Sequence, residues 1–284
     1  MLRRVPLYNS AQSMPFRPFW PRSRGAVLPA PRLTLPATRP ERAALEEGLG
    51  RQLLALDRGL GLFRLVHLLD ALGRSGRVRT VLSIGSGEGL HEAYLANAFP
   101  DLQVAGVDIR EPPAGRATAN LRLLRGDLRD AAFLRTVPAA DFVFSIECLE
   151  HLDDDESVFR AMAGLVKPGG RLYLQVPFAS EEELSDPELC RQERERHEHV
   201  RPGYSEPGLR RMAERAGLRV LSIGSAFWYP MQPLVWIATD MVPHADLAPH
   251  WRSFLELAAM DLGRGLALGR TQACAIKLLA ARPV

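Results

Sequence analysis

One short stretch of this chain constrains its fold more than any other. The apolar run Val81–Ile84 breaks into the closely spaced glycines Gly85, Gly87 and Gly89, and a helical pattern follows directly. Because glycine has no Cβ, the backbone there can turn sharply and approach a ligand, and free amides at the following helix N-terminus favour an anionic group. The stretch therefore predicts a strand, a tight turn and a helix, with a small and partly anionic ligand at the turn.

The spacing of these glycines bears on which ligand is bound. The dinucleotide fingerprint G-x-G-x-x-G requires a third glycine where this chain has Leu90, because Gly89 comes one position early. An ordinary strand-to-helix turn would also fit the observed G-x-G-x-G pattern. The residues that follow must therefore decide the function of the turn.

Composition limits the class of protein. With 284 residues and 46% apolar content, the chain can bury one substantial core, and we expect one main domain with additional segments attached to it. The first 40 residues carry seven arginines and no acidic residue, which leaves 29 basic against 33 acidic residues in the remainder. No nucleic-acid partner is expected, because phosphate binding requires a clustered basic face. Three scattered cysteines argue against disulfides and thiolate zinc sites, so a reducing, cytoplasmic setting is expected.

The sequence divides into four segments. Residues 1–40 contain eight prolines, which predicts a disordered tail and argues against the alternative of an organelle transit peptide. Residues 41–77 have apolar positions at steps of three and four, which predicts helices with a break near Gly59. Residues 78–225 alternate between short apolar strands and helices, and residues 226–284 combine an apolar insertion with a terminal strand.

The alternation within 78–225 predicts a parallel sheet that is covered on both faces. After the fifth strand, residues 197–201 are expected in a polar, charge-dense loop, and the charge run at 191–198 predicts a solvated helix face. We predict strands at 79–84, 103–108, 120–124, 141–146, 171–177, 218–224 and 271–281, and helices at 89–98, 129–136, 152–166 and 205–217.

Two carboxylates follow predicted strands. Asp108 ends the second strand, where ligands of open α/β sheets bind and where a carboxylate can accept hydrogen bonds from both ribose hydroxyls. Capping of a turn is the alternative role for Asp108. Asp127 ends the third strand and can accept from an adenine amino group, or it can cap the next helix.

At the fourth strand, which reads ADFVFSIECLEHL, the chain resembles the class I S-adenosylmethionine-dependent methyltransferases, particularly the quinone-biosynthesis group. The resemblance covers residues 78–224 and rests also on VLSIGSGEG, GVDI, RGDL and LVKPGGRLYLQVP, in that order. It implies an α/β fold with a Rossmann-like seven-stranded sheet, mostly parallel with an antiparallel last strand and helices on both faces. It also implies S-adenosyl-L-methionine as the cofactor.

The resemblance implies which residues hold this cofactor. One position departs from the family pattern, because Ser83 stands where relatives commonly carry an acidic residue that helps to hold the methionine end. The cofactor-binding residues implied are Gly85, Ser86, Gly87, Gly89, Asp108, Ile109, Asp127, Leu128 and Ser145.

Methyl transfer requires in-line positioning of the acceptor and, where the acceptor needs it, removal of a proton. His151 is the first candidate base, because it follows a strand end beside the expected methyl position. A helix-start histidine that is bonded to backbone is the alternative. Glu147 and His199 complete the predicted catalytic set, and Arg201 is a further candidate on the acceptor side.

The first expectation is that no metal is bound. Glu147, Glu150 and His151 nevertheless stand at i, i+3 and i+4, so they can share one face of a helical turn in a set that suits a metal ion. Some relatives with the same E-x-x-E-H string are similar in using it for a divalent ion, whereas many others use none. A metal site with His197 or His199 as the extra ligand therefore stays an alternative.

The insertion at 226–270 is apolar, but its polar residues and prolines make it unfit to span a bilayer. A packed lid or dimer surface, an apolar acceptor pocket and peripheral membrane contact are the open alternatives.

We expect methylation of an O, N or C nucleophile on a small-molecule or lipid-like acceptor that is partly apolar. The rival functions are an NAD-dependent oxidoreductase and a non-catalytic S-adenosylmethionine-binding regulator. The apolar cluster consists of Phe227, Trp228, Tyr229, Met231, Leu234, Trp236 and Ile237.

Overall fold

The computed structural model describes residues 40–228, 235, 239, 241–264 and 273–284. Their strands form one seven-stranded sheet in the order β3-β2-β1-β4-β5-β7-β6. Neighbouring strands from β3 to β5 pair in parallel, and β7 runs antiparallel to both of its neighbours. The predicted fold is therefore confirmed. The strands are β1 Thr80–Ile84, β2 Gln103–Asp108, β3 Leu121–Arg125, β4 Ala140–Ile146, β5 Val166–Pro177, β6 Arg219–Trp228 and β7 Ala273–Ala281.

Helices precede, connect and follow these strands. The first two are separated by the 3-10 turn Leu56–Gly59, where Gly59 has a φ of 90°. This is the predicted break, because a residue without a Cβ adopts the left-handed conformation at little cost. The helices are α1 Pro40–Ala55, α2 Leu60–Gly73, α3 Leu90–Ala98, α4 Ala131–Leu134, α5 Asp155–Leu165, α6 Glu181–Leu184, α7 Pro187–His197, α8 Glu206–Arg215, α9 His244–Leu247 and α10 Trp251–Arg264, with further 3-10 turns at Leu149–His151 and Ala248–His250.

Two hydrophobic clusters cover the two faces of the sheet. In β4, Phe142 and Phe144 belong to the cluster that α1, α2, α3 and α10 complete, whereas Val143 belongs to the cluster beneath α5 and α8. Alternate side chains of a strand point to opposite faces, so the apolar run of β4 fills both layers. The carboxyl ends of the parallel strands are left to form the site.

The chain between β5 and β6 contains the helix expected over the charge run. It forms α6 and α7, so the helix predicted for residues 191–198 is confirmed up to His197. Local capping explains these helices, because Ser180 and Glu183 form a capping box and Asp186 accepts from two amides of the next helix. Glu198 ends α7 in the left-handed conformation.

Two parts of the predicted organisation lie mostly outside the described residues. Of the expected disordered tail, only Pro40 is described, and it begins α1. The apolar cluster of the insertion is described at Phe227 and, for the backbone, at Trp228. Where the structure describes helices, none is both long enough and apolar enough to cross a membrane.

Candidate active site

A cavity of about 370 Å³ opens at the carboxyl ends of the parallel strands. We call it the glycine-loop cavity, because it lies beside the turn that follows β1. Its volume falls within the range of about 300–1,000 Å³ that small-molecule and cofactor sites occupy. Seven residues predicted for the site line it: Gly85, Asp108, Ile109, Asp127, Leu128, Glu147 and His151.

The glycine turn packs directly against the segment after β4. Gly85 has a φ of 73°, and a Cβ there would lie 2.5 Å from the Sγ atom of Cys148. The amides of Gly85 and Ser86 both donate to the carbonyl of Val107, and the amide of Gly87 donates to Asp108 Oδ2 at 2.7 Å. The turn amides of Gly85, Ser86 and Gly87 are thus engaged within the protein, and the anion at this turn is the carboxylate of Asp108.

Asp108 both caps the glycine turn and lines the glycine-loop cavity. Its carboxylate accepts from the amide of Gly87 and from the amide and Nε of Arg110, at 2.7, 2.9 and 3.1 Å. Burial alone would raise the pKa of Asp108, but these hydrogen bonds outweigh burial and hold that pKa below its usual value. Asp108 is therefore an ionised acceptor, and the Arg110 side chain beside it is 70% exposed.

The other predicted cofactor residues differ in their placement. Asp127 accepts from the guanidinium of Arg129 at 2.6 Å, and the N-cap of α4 is Asp130, so Asp127 does not have the capping role. Ser145 is fully buried in β4 and does not line the glycine-loop cavity. Three predicted residues shape the turn but do not line the glycine-loop cavity: Ser86, Gly87 and Gly89.

A second cavity of about 420 Å³, which we call the histidine cavity, adjoins the first. Glu147 and His151 line both cavities. His199 and the buried Phe227 also line the histidine cavity. The two cavities therefore share a boundary at Glu147 and His151.

Hydrogen bonds fix the tautomers of two imidazoles in this cavity. His151 Nδ1 lies 3.3 Å from the carbonyl oxygen of Glu198, and His199 Nδ1 lies 3.0 Å from a carboxylate oxygen of Glu193. Because both partners only accept, each Nδ1 carries the hydrogen and each Nε2 of a neutral ring presents a lone pair. Burial and the neighbouring His151 lower the pKa of His199, which favours its neutral form.

Glu150 lies beside these rings and is fully buried. Among the residues that the structure describes, neither of its carboxylate oxygens has a hydrogen-bond partner. Ligand atoms of Glu150, His151 and His199 lie within 4.8 Å of one another. One carboxylate and two imidazoles form a set that suits a divalent transition metal, and the hydrogen bonds at Nδ1 are those that commonly orient metal-bound histidines.

Glu147 is not part of this three-residue cluster. Its carboxylate accepts from the buried guanidinium of Arg64 at 3.1 Å, and Arg64 also bonds Asp57 at 2.6 Å. The backbone of Glu147 has a φ of 49°, a conformation that non-glycine residues rarely adopt. Arg64 was not predicted for the site, although a charged residue within the apolar run of α2 was a visible signal.

Arg201, predicted on the acceptor side, anchors the chain after α7 to the start of α5. Its guanidinium bonds Asp155 at 2.9 Å and the carbonyl of Leu152 at 3.0 Å. Tyr204 donates to the same carboxylate at 2.7 Å. These bonds hold the segment that carries His199 against the site.

Comparison with known proteins adds to this geometry. A family model described as a methyltransferase domain matches residues 57–223. The chain is 33% identical over 99 residues to trans-aconitate 2-methyltransferase from Methylobacterium radiotolerans, covering 35% of this chain and 38% of that protein. It is 35% identical over 103 residues to ubiquinone biosynthesis O-methyltransferase from Stutzerimonas stutzeri, covering 34% and 43%. The matched part thus spans less than half the length of either relative.

Solved structures share the fold. A proposed sarcosine dimethylglycine methyltransferase from Galdieria sulphuraria superposes with a TM-score of 0.55 at 18% identity, covering 78% of this chain and 86% of that one. At that level of identity the likeness concerns the architecture alone.

Proposed function

Because this chain belongs to the methyltransferase domain family, we propose that it transfers a methyl group from S-adenosyl-L-methionine to a small acceptor. The observation that carries this proposal is that the glycine-loop cavity and the histidine cavity meet at Glu147 and His151. A cofactor in one cavity and an acceptor in the other would then be in direct contact beside these two residues, as in-line transfer requires. The rival of an NAD-dependent oxidoreductase finds no support in the family match.

The residues of the glycine-loop cavity fit a nucleoside. The carboxylate of Asp108 can accept from ribose hydroxyls, because the exposed Arg110 side chain is free to rotate away from it. Ile109 and Leu128 offer apolar surface to a base, and Asp127 can accept from its amino group. Bound there, S-adenosyl-L-methionine supplies an electrophilic methyl group on a sulfonium that is already a good leaving group.

The chain itself contributes positioning and proton removal. His151 Nε2 has a lone pair and belongs to a side chain that lines both cavities, so it can take the proton from an oxygen or nitrogen acceptor. Glu147, which Arg64 holds in place by a hydrogen bond, lies at the same boundary between the two cavities. His199, kept neutral by burial, adds a second lone pair on the acceptor side.

We propose an acceptor that joins an apolar part to a nucleophilic O, N or C atom. Leu60, Phe178 and Phe227 supply apolar surface in the histidine cavity, and the histidines and glutamates supply polar surface. The apolar cluster beyond Phe227 lies outside the described residues, so its role in acceptor binding, or in membrane contact, stays a prediction.

Methyl-labelled S-adenosylmethionine and a panel of small phenols, carboxylic acids and amines test the proposal. For an acceptor that is turned over, His151→Gln should lower kcat by about 10²–10⁴-fold and leave cofactor affinity unchanged. The matched control is His244→Gln, an exposed histidine of α9 that should keep full activity. Equal kcat values for wild type and His151→Gln would refute the assignment of His151, and binding without turnover of any acceptor would favour the non-catalytic rival.

A divalent cation in the histidine cavity is a second candidate, and the unpartnered carboxylate of Glu150 favours it. Glu150, His151 and His199 would hold the ion, whose chemistry would be to lower the pKa of an acceptor hydroxyl. Metal analysis of the full chain, with Glu150→Gln as the variant and the exposed Glu256→Gln as its control, tests this directly. A bound ion that only Glu150→Gln loses would support the site. If chelation leaves activity intact while His151→Gln slows transfer, His151 acts without a metal.

A further inference from the structure

Of the 36 lysine and arginine residues of this chain, two are lysines, Lys167 and Lys277. Lys277 lies on β7 under α2 and lines a small cavity of about 80 Å³. This cavity shares no lining residue with the glycine-loop cavity or the histidine cavity. The proposed methyl transfer gives Lys277 no role.

Lys277 is the outer member of a hydrogen-bonded chain of three side chains. Its Nζ lies 2.7 Å from His67 Nδ1, and His67 Nε2 lies 2.9 Å from Asp261 Oδ2. Because the carboxylate accepts, Nε2 carries the ring hydrogen and Nδ1 presents its lone pair to the amine. His67 is buried, and Asp261 also accepts from the amide of Phe227 at 3.1 Å, so the order Asp261, His67, Lys277 is held by three elements of the fold.

We propose that Lys277 is an activated amine that small acyl phosphates acylate, with His67 as its base and Asp261 as the group that orients His67. The Nζ lone pair attacks the carbonyl carbon and forms the N–C bond, and His67 Nδ1 takes the proton that the nitrogen loses. The C–O bond to phosphate then breaks, and phosphate leaves with the electron pair. The products are an amide at Lys277, inorganic phosphate and a proton that His67 passes to solvent.

The arrangement has the features of an activated nucleophile, which are a base within hydrogen-bond distance and a third group that orients the base. An arginine at this position would not serve, because a guanidinium is not deprotonated in proteins. Burial lowers the pKa of Lys277 to about 8, although Asp70 and Asp261 oppose that shift and Arg74 adds to it. Burial also lowers the pKa of His67 to about 4, so the ring is neutral and a weak base, which takes the proton only after the N–C bond has formed and made that proton acidic.

The cavity limits the size of the electrophile. A volume of about 80 Å³ is that of two or three water molecules at about 30 Å³ each, which admits an acetyl-sized group. Arg74 and Asp70 line the same cavity and pair at 3.0 Å, so a phosphate at the mouth would compete with the Asp70 carboxylate for the half-exposed guanidinium. Ser222 and Ser225 of β6 line the cavity without adding charge.

The test is acetylation of the full chain by acetyl phosphate, followed by peptide mass spectrometry of both lysines across a range of pH. Lys167 is the internal control, because its side chain is 40% exposed and its amine bonds Asp141 rather than a histidine. At about pH 7.5, an amine with a pKa of about 8 is roughly one-quarter neutral, whereas a lysine in a model peptide is about 0.1% neutral. Even with hindered access, Lys277 should therefore react at least about tenfold faster than Lys167.

Variants separate the relay from simple burial. His67→Gln and Asp261→Asn should each slow acetylation of Lys277 by about tenfold or more and leave Lys167 unchanged, with Glu256→Gln on α10 as the control. If both variants fail to fold, the wild-type comparison of the two lysines still tests whether the Lys277 amine is activated, and the Lys277 rate should level off near pH 8 to 9. Equal rates at the two lysines, or a preference for Lys277 that folded variants keep, would overturn the proposal.

Discussion

Replacement of Asp108 by asparagine removes the charge of the proposed ribose acceptor and keeps its shape. The carboxylate accepts three hydrogen bonds from Gly87 and Arg110, which leaves about one of its four lone-pair positions for a ligand. A ribose hydroxyl gains a second position when the guanidinium of Arg110 moves away, at a cost of about 0–1 kcal/mol for an exposed ion pair. Hydrogen bonds to a charged group are worth about 1.5–3 kcal/mol, so Asp108→Asn should weaken cofactor binding by about 10- to 160-fold.

Titration calorimetry with S-adenosylhomocysteine measures this difference. The matched control is Glu111→Gln, which removes the same charge from a side chain that is 73% exposed, and whose effect should stay within about 0.5 kcal/mol. Thermal melts of each variant show whether the fold is kept. An affinity of folded Asp108→Asn within twofold of wild type would refute the role of Asp108.

Three further substitutions test individual contacts, one in the glycine turn and two elsewhere in the fold. Gly85→Ala should abolish measurable cofactor binding and destabilise the fold by about 1–3 kcal/mol, because its Cβ would lie 2.5 Å from Cys148 Sγ at a φ of 73°; unchanged calorimetry and melts would contradict this. Tyr204→Phe removes the 2.7 Å bond to Asp155, so urea denaturation should show a free energy of unfolding lower by about 1.5–3 kcal/mol, and an unchanged value would count against that bond. Burial would raise the pKa of Asp141, but hydrogen bonds from a lysine and two amides lower it to about 2. The ionised Asp141 carboxylate therefore stabilises the fold fully above the unfolded pKa of about 3.9, and this stabilisation is lost as the pH falls through about 2. The difference in free energy of unfolding between wild type and Asp141→Asn should shrink over that pH interval, and a constant difference would contradict this.

Local patterns in the sequence predicted the elements that local forces determine. The glycine turn, the break near Gly59 and the alternation of strands and helices follow from residue type and periodicity within short windows. The antiparallel β7 came from the family resemblance and is confirmed by its pairing with β5 and β6. The helix predicted over the charge run is confirmed as α7, and its start at Asp186 and Pro187 is a capping signal of local residue type.

The contacts that complete the site join residues distant in sequence. Arg64 meets Glu147 because α2 crosses the end of β4, and His199 joins Glu150 because α7 returns to the same edge of the sheet. Periodicity in a short window carries no information about such pairs. The hydrogen bond from the Gly87 amide to Asp108, which ends β2, is likewise a tertiary contact that the pattern of the glycine turn alone does not indicate.

We propose that the two adjoining cavities hold the cofactor and the acceptor, with the reacting atoms beside Glu147 and His151. A crystal structure of the full chain with S-adenosylhomocysteine tests this arrangement. We expect the ribose hydroxyls on Asp108, the base between Ile109 and Leu128, and the sulfur atom turned toward Glu147 and His151. A nucleoside bound outside the glycine-loop cavity, or a sulfur atom turned away from the histidine cavity, would contradict it.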